Sequence, residues 1–147
     1  MLKALAGKTF ATAESLTGGG IGAAITGTPG ASSVYVGGVI SYTNDVKNRI
    51  LGVPEEILKE YGAVSAPTAK AMAEGVRRLL QADVSVSVTG LAGPAGDEYG
   101  NPVGTVFIGY ADEKGSLTEH HVFSGSREEV REQTILAALE LILKQNK

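Results

Sequence analysis

The chain contains no cysteine, which excludes disulfides, thiolate metal sites and a cysteine nucleophile. No stretch approaches the roughly 18 consecutive apolar residues that a bilayer-spanning helix requires. The first residues lack the long apolar core of a secretory signal, so a cytoplasmic location is expected. Positive charge is also scarce: 13 Lys and Arg against 16 Asp and Glu leave a net −3. No general field exists to gather a nucleic-acid backbone or an acidic membrane surface, and neither partner is expected. What is present suits one globular domain: 147 residues, 43% hydrophobic and 20% charged, enough for one core and too few for two. Glycine is abundant, at 20 residues, about twice its usual share. The glycines do not form low-complexity runs, so they are read as loop-shaping residues.

Periodicity and breakers divide the chain into alternating elements. A β-type run over Lys8–Thr12 feeds Glu14-Ser15-Leu16-Thr17-Gly18-Gly19-Gly20, which reads as strand, turn and helix entry. Ile21, Ala24 and Ile25 lie on one helical face before Gly27-Thr28-Pro29-Gly30 stops the helix. Val34–Thr43 is a second strand, with Gly37-Gly38 marking a bulge or a close backbone approach. Asn44 or Asp45 is expected to cap a short helix with Val46, Ile50 and Leu51 on its apolar face. Another short helix follows Pro54. A stronger one begins after Ser65, with Ala69, Met72, Ala73, Val76, Leu79 and Leu80 repeating at helical spacing. Asp83–Thr89 alternates as a strand and delivers the chain into Gly90-Leu91-Ala92-Gly93-Pro94. Thr105–Ala111 and Leu117–Phe123 form a hairpin. Ser126 and Glu129 open a last helix as a capping box, with Val130, Ile135, Leu136, Leu139, Leu141 and Ile142 as its apolar positions. The fold class expected is α/β: a single-domain mixed β-sheet with helices on both faces.

Two glycine-rich turns concentrate the chemistry. Ser15 and Thr17 before Gly18-Gly19 place small hydroxyls and unhindered N–H groups at a helix start, a geometry that suits a phosphate or an oxyanion. Ser15 is then a ligand or a nucleophile. In the structural alternative Ser15 or Thr17 is an N-cap and the glycines only permit close packing. A serine nucleophile needs a base. His120 and His121 are poor choices, because strand alternation sends them to opposite faces. Lys47, five residues after Tyr42 across a strand-to-helix corner, is better: a desolvated lysine can lose its proton near neutral pH, with a tyrosine hydroxyl as relay. Otherwise Lys47 is a solvated surface residue and Tyr42 closes the core edge. Arg127 and Arg131, one turn apart, either clamp a phosphate or pair with Glu128, Glu129 and Glu132. Gly7-Lys8-Thr9 is not a P-loop, because the required leading glycine is Leu2 and the triplet precedes its strand. Thr17–Gly22 with Tyr42 and Lys47 has the residue types of a short-chain dehydrogenase, a distant alternative for a chain too short for a full dinucleotide fold.

Thr12-Ala13-Glu14-Ser15-Leu16-Thr17-Gly18-Gly19, Gly38-Val39-Ile40-Ser41-Tyr42-Thr43-Asn44 with Lys47, Leu51-Gly52-Val53 and Gly62-Ala63-Val64-Ser65 stand in the order of one known family. Thr89–Pro94, Pro102–Val106 and Phe123–Arg127 continue that order. Over nearly its whole length the sequence resembles the CinA C-terminal domain family, whose stand-alone members include nicotinamide mononucleotide deamidases. The resemblance implies an amidase domain over 1–147. It would hydrolyse the carboxamide of nicotinamide mononucleotide to nicotinate mononucleotide and ammonia, in pyridine nucleotide recycling, without cofactor or metal. It further implies Ser15 as nucleophile, Lys47 as base and Tyr42 as proton relay or orienting partner. Thr17, Gly18, Gly19, Gly90, Ala92, Gly93 and Arg127 are then expected to bind the substrate. Such a domain takes a small nucleotide; separately, Gly-rich edge strands and few surface aromatics are compatible with a homo-oligomer without specifying one. Two departures from the family pattern stand out: only six residues precede Gly7, where members carry a longer helix, and Ala95–Asn101 replaces a glycine-rich continuation. Asp97 and Glu98 in that loop are expected to repel a phosphate. The N-terminal pyrophosphatase domain of longer family members is not in this sequence, so that activity is not expected. The competing readings are a non-catalytic nucleotide-binding module and a self-assembling subunit.

Overall fold

The computed structural model describes residues 2–147. Its elements are β1 (Phe10–Glu14), α1 (Gly20–Thr26), a 3-10 turn at Ala31–Ser33, β2 (Tyr35–Ile40), α2 (Asn44–Arg49), α3 (Glu55–Tyr61), α4 (Ala66–Leu80), β3 (Val84–Gly90), β4 (Thr105–Asp112), β5 (Gly115–Val122) and α5 (Arg127–Gln145). The sheet order is β2-β1-β3-β4-β5. β1 is parallel to both β2 and β3, whereas β3, β4 and β5 run antiparallel. α1 and α5 share a core with Phe10, Val84, Val86, Val88, Val106 and Ile108 on one face. On the other, Met72 and Val76 of α4 pack with Ala11, Ala13, Leu51 and Val53. The expected mixed sheet with helices on both faces is what forms.

The alternation of β3 explains how α4 lies so close to the sheet. Its valines enter the α1–α5 core, while Ser85 and Ser87 face α4 and donate to the Ala73 and Ala69 carbonyls at 2.6 Å each. Both faces are therefore buried, and the serines are satisfied by helix carbonyls instead of water. A Cβ at Gly109 would overlap the Ala69 carbonyl, so glycine is required there for the helix to approach.

Several local expectations shift. β1 starts and ends two residues later than the Lys8–Thr12 run, so it delivers Glu14 and Ser15 directly to its carboxyl end. The bulge expected near Gly37-Gly38 is present: the register with β1 slips between Phe10 and Ala11, opposite Tyr35 and Gly37. α2 is capped by Thr43, whose side chain accepts from the Val46 N–H at 3.3 Å, and not by Asn44 or Asp45. On α5, Leu136 is 58% exposed, because Thr134 and Ala138 fill the positions against the sheet. Leu79 of α4 likewise faces out. α2 departs furthest from its expected apolar face: Ile50 is 43% exposed, while Lys47 and Leu51, four residues apart, point inward. A short helix that buries its lysine and exposes its isoleucine is oriented by something other than hydrophobicity.

Candidate active site

β1 and β3 are parallel neighbours, and the connections leaving β1 and β2 cross opposite faces of the sheet through α1 and α4. The carboxyl ends of such strands open a crevice where ligands of α/β proteins commonly bind. A cavity of about 360 Å³ lies there, lined by Ser15, Tyr42, Lys47, Ala92, Gly93 and Arg127 among others, and none of its lining residues is a carboxylate. Its volume falls in the range of small-ligand sites. A larger groove of about 700 Å³ lies near Arg77, Asp83 and Asp112. There the Arg77 Nε is already engaged by the Asp83 carbonyl at 3.0 Å.

The centre of the cavity is a buried lysine against a serine. Lys47 is 1% exposed, and its Nζ lies 3.1 Å from Ser15 Oγ, 2.8 Å from the Ser41 carbonyl and 3.2 Å from the Tyr42 carbonyl. As an ammonium it donates to all three. As a neutral amine it has two N–H bonds, and because carbonyls can only accept, these go to Ser41 and Tyr42. The lone pair is then left for the Ser15 hydroxyl, whose O–H donates to it. Burial pushes the Lys47 pKa down from 10.5 to about 8, since removing water penalises the charged form. About one lysine in ten is then neutral at pH 7. The reversed face of α2 is explained: Lys47 is held inward by carbonyl acceptors that β2 presents as it ends.

Ser15 is placed by the turn that follows β1. Its N–H continues the sheet by donating to the Val88 carbonyl at 3.1 Å, and the Gly18 N–H returns to the Ser15 carbonyl at 3.1 Å. Gly18 has φ +58° and Gly19 φ +104°, left-handed values that glycine adopts at little cost. Neither Ser15 nor Thr17 caps α1. The N-cap is Gly19, which makes no side-chain cap, and the donors at the helix start are taken by Glu14. That buried carboxylate accepts from Ile21 N–H at 2.8 Å, Gly22 N–H at 3.0 Å and Thr17 Oγ1 at 2.6 Å. Glu14 was visible in the sequence only as a motif letter; an acid just ahead of a glycine-rich helix start is the signal that assigns it this capping role. Among the described residues the Leu16 N–H has no hydrogen-bond acceptor, and Leu16 lines the cavity.

The remaining expected site residues divide. Gly90, Ala92, Gly93 and Arg127 line the cavity, with Arg127 Nη1 donating to the Gly93 carbonyl at 2.6 Å. Thr17, Gly18 and Gly19 do not line it; they form the turn behind Ser15, so their expected contact with substrate is replaced by a shaping role. Tyr42 sits at the mouth, 60% exposed. Its hydroxyl accepts from Arg127 Nη2 at 3.4 Å, and it is the Tyr42 backbone carbonyl that orients Lys47. The two-arginine phosphate clamp is not formed, because Arg131 Nε and Nη2 bond the Leu16 and Thr17 carbonyls at 3.0 and 3.2 Å. Asp97 and Glu98, in the loop expected to repel a phosphate, do not line the cavity. Asp97 instead accepts from the N–H groups of Tyr99 and Asn101 and from Asn101 Nδ2, closing its own loop. Tyr99 bonds the Lys59 carbonyl at 2.8 Å, which ties that loop to α3. His120 stacks on Phe107 and His121 on Phe123, in keeping with a structural role for both.

The sequence and the fold are similar to those of known proteins. A family model for the CinA C-terminal domain matches residues 2–146. A CinA-like protein from Endomicrobium trichonymphae is 48% identical over 135 residues, covering 92% of this chain and 32% of its own. The crystal structure of a competence-damaged protein (CinA) superfamily protein from Enterobacter cloacae superposes with a TM-score of 0.96 at 34% identity, covering 99% of this chain and 88% of the other. That of the competence/damage inducible protein CihA from Agrobacterium tumefaciens gives 0.90 at 40% identity, covering 97% and 87%. The chain spans about a third of the length of the curated relatives it matches. By its sequence over nearly every residue and by its fold, the chain belongs to the CinA C-terminal domain family.

Proposed function

We propose that this domain is an amidase that hydrolyses the carboxamide of nicotinamide mononucleotide to nicotinate mononucleotide and ammonia, in pyridine nucleotide recycling. The observation that carries the reading is the Lys47 amine, buried and 3.1 Å from Ser15 Oγ. A carboxamide is a poor electrophile with a poor leaving group, so its cleavage needs an activated nucleophile and a proton for the departing nitrogen. Neutral Lys47 removes the Ser15 hydroxyl proton as Oγ bonds to the carboxamide carbon, and the oxygen of the tetrahedral intermediate faces the Leu16 N–H. The Lys47 ammonium then passes its proton to the amide nitrogen, and ammonia leaves as the acyl–Ser15 ester forms. Lys47 next takes a proton from water as the water oxygen bonds to the ester carbon, and gives that proton to Ser15 Oγ as the acyl C–O bond breaks; the acid product leaves and loses its proton to solvent as the carboxylate, with Lys47 neutral again. Arg127 has five guanidinium donors, of which the Gly93 carbonyl and the Tyr42 hydroxyl take two. With the Gly90–Gly93 backbone it can receive the 5′-phosphate.

The test incubates the pure protein with nicotinamide mononucleotide, nicotinamide riboside or nicotinamide and follows ammonia release. Turnover is expected with the mononucleotide and far less with the two compounds that lack phosphate. Ser15→Ala is expected to abolish turnover while still binding the mononucleotide. If turnover by Ser15→Ala stays within about threefold of the parent, a barrier change below 1 kcal/mol, Ser15 is not the nucleophile. Saturable binding without ammonia release identifies a binding module instead.

A further inference from the structure

The first turns of α5 carry two arginines that reach different walls of the cavity. Arg127 holds the Gly93 carbonyl on one side. Arg131 lies one helical turn further on and holds the Leu16 and Thr17 carbonyls, the two that directly follow Ser15. We infer that Arg131 is a positioning residue for the nucleophile: its guanidinium fixes the Leu16–Thr17 and Thr17–Gly18 peptide planes and, through the Gly18 N–H on the Ser15 carbonyl, sets where Ser15 Oγ and the Leu16 N–H point. The inference rests on the amidase reading above.

In a trans peptide the carbonyl and the N–H point in opposite directions, so a donor that fixes one end of a plane fixes the other. The Leu16 N–H shares its plane with the Ser15 carbonyl, which the Gly18 N–H holds from within the turn; that N–H in turn shares its plane with the Thr17 carbonyl. The Leu16 carbonyl is held by Arg131, and the Thr17 carbonyl by Arg131 together with the Gly20 N–H. A planar fork can hold two adjacent carbonyls in a defined geometry, which a single ammonium does less well. Leu16 is buried, so its carbonyl has little access to replacement water once the arginine is removed. α5 is itself fixed at that end by a complete capping box between Ser126 and Glu129, so the guanidinium projects from a rigid base. Arg131 does not line the cavity, and the carbonyl partners of Lys47 belong to the corner after β2, which Arg131 does not touch. Its loss should therefore displace Ser15 and leave substrate contacts and the Lys47 proton equilibrium as they are.

The experiment compares Arg131→Ala and Arg131→Lys with the parent, using ammonia release from nicotinamide mononucleotide across pH. It is run with and without guanidinium chloride far below denaturing concentration. Arg131→Ala is expected to lower kcat by about 10²-fold, the scale of an ångström-level misplacement, with KM within twofold. The rise of activity through pH 8 should persist, added guanidinium should restore part of kcat, and Arg131→Lys should restore less than guanidinium does. A raised KM with unchanged kcat, relieved when nicotinamide riboside replaces the mononucleotide, makes Arg131 a phosphate ligand and overturns the inference. So does a loss that guanidinium cannot restore in a protein whose circular dichroism and melting match the parent. A second readout is independent of the natural substrate: the rate at which p-nitrophenyl acetate acylates Ser15, followed by mass spectrometry. If the parent releases no ammonia from the mononucleotide but its acylation is fast, slowed by Arg131→Ala and rescued by guanidinium, the substrate reading fails and the positioning role stands. Equal acylation rates in parent and Arg131→Ala overturn the positioning role whatever the substrate.

Discussion

Replacing Lys47 by methionine separates what the lysine contributes to catalysis from what it costs the fold. Its pKa of about 8 in place of 10.5 corresponds to about 3 kcal/mol by which the folded state disfavours the ammonium at neutral pH. Methionine has similar length, no charge and a suitable shape for a buried site, so the substitution removes that penalty. It also leaves the Ser41 and Tyr42 carbonyls without the lysine donor, a loss of about 1–3 kcal/mol for each acceptor left unpaired. The two terms are of similar size and opposite sign at pH 7. The discriminating quantity is how the difference changes with pH. Between the folded pKa of about 8 and the unfolded value of 10.5, the unfolded chain binds more protons, so stability from this group rises with pH across that window. From pH 7 to pH 9 the parent should gain about 1.3 kcal/mol relative to Lys47→Met. Urea denaturation at both pH values measures this directly, and ammonia release on the same samples should fall by at least about 10²-fold in the variant. A stability difference that does not change between pH 7 and pH 9, or near-parental turnover by Lys47→Met, would refute a depressed lysine acting as the base.

Arg127→Ala is expected to raise KM for nicotinamide mononucleotide about tenfold or more, in line with a lost charge-assisted contact, and to change KM for nicotinamide riboside little; steady-state ammonia release with both substrates checks this. Glu14→Ala strips an acceptor from two helix-start N–H groups and the Thr17 hydroxyl, and should cost about 3 kcal/mol of stability, read by urea denaturation. For the parent, kcat/KM should rise with pH about tenfold per unit below the Lys47 pKa of about 8 and level off above it, because only the neutral amine can accept the Ser15 proton.

The elements of this fold were legible wherever local pattern and tertiary burial agree. The Ser65–Leu80 periodicity, the alternation of Val84–Thr89 and the Ser126–Glu129 box all describe real elements, because each encodes a choice made within a few residues. The pattern misled where the apolar face is decided by what lies opposite: Leu136 and Ile50 have core composition and face water. For Lys47 the composition of α2 gives the wrong face, and the inward position follows from the carbonyls that β2 presents at its end. Ser15 and the Gly90–Gly93 turn were legible because small residues after strands imply open backbone at a sheet end, and Lys47 because it follows β2 across a strand-to-helix corner. Tyr42 had the right place and the wrong atom, since hydroxyl chemistry is read from a side chain while the contact to Lys47 is made by a backbone carbonyl. Arg131 was legible as a cation one turn after Arg127. Its partners are carbonyls 115 and 114 residues away in sequence, and no local pattern reports those.

The claim on which the rest depends is that the amine beside Ser15 is uncharged often enough at working pH to take a proton. Site-resolved NMR titration of the Lys47 side chain in the folded protein, assigned by comparison with Lys47→Met, measures this without any substrate. A midpoint of about 8 is expected. A midpoint near the ordinary value of ~10.4 would contradict it and leave Ser15 without its base.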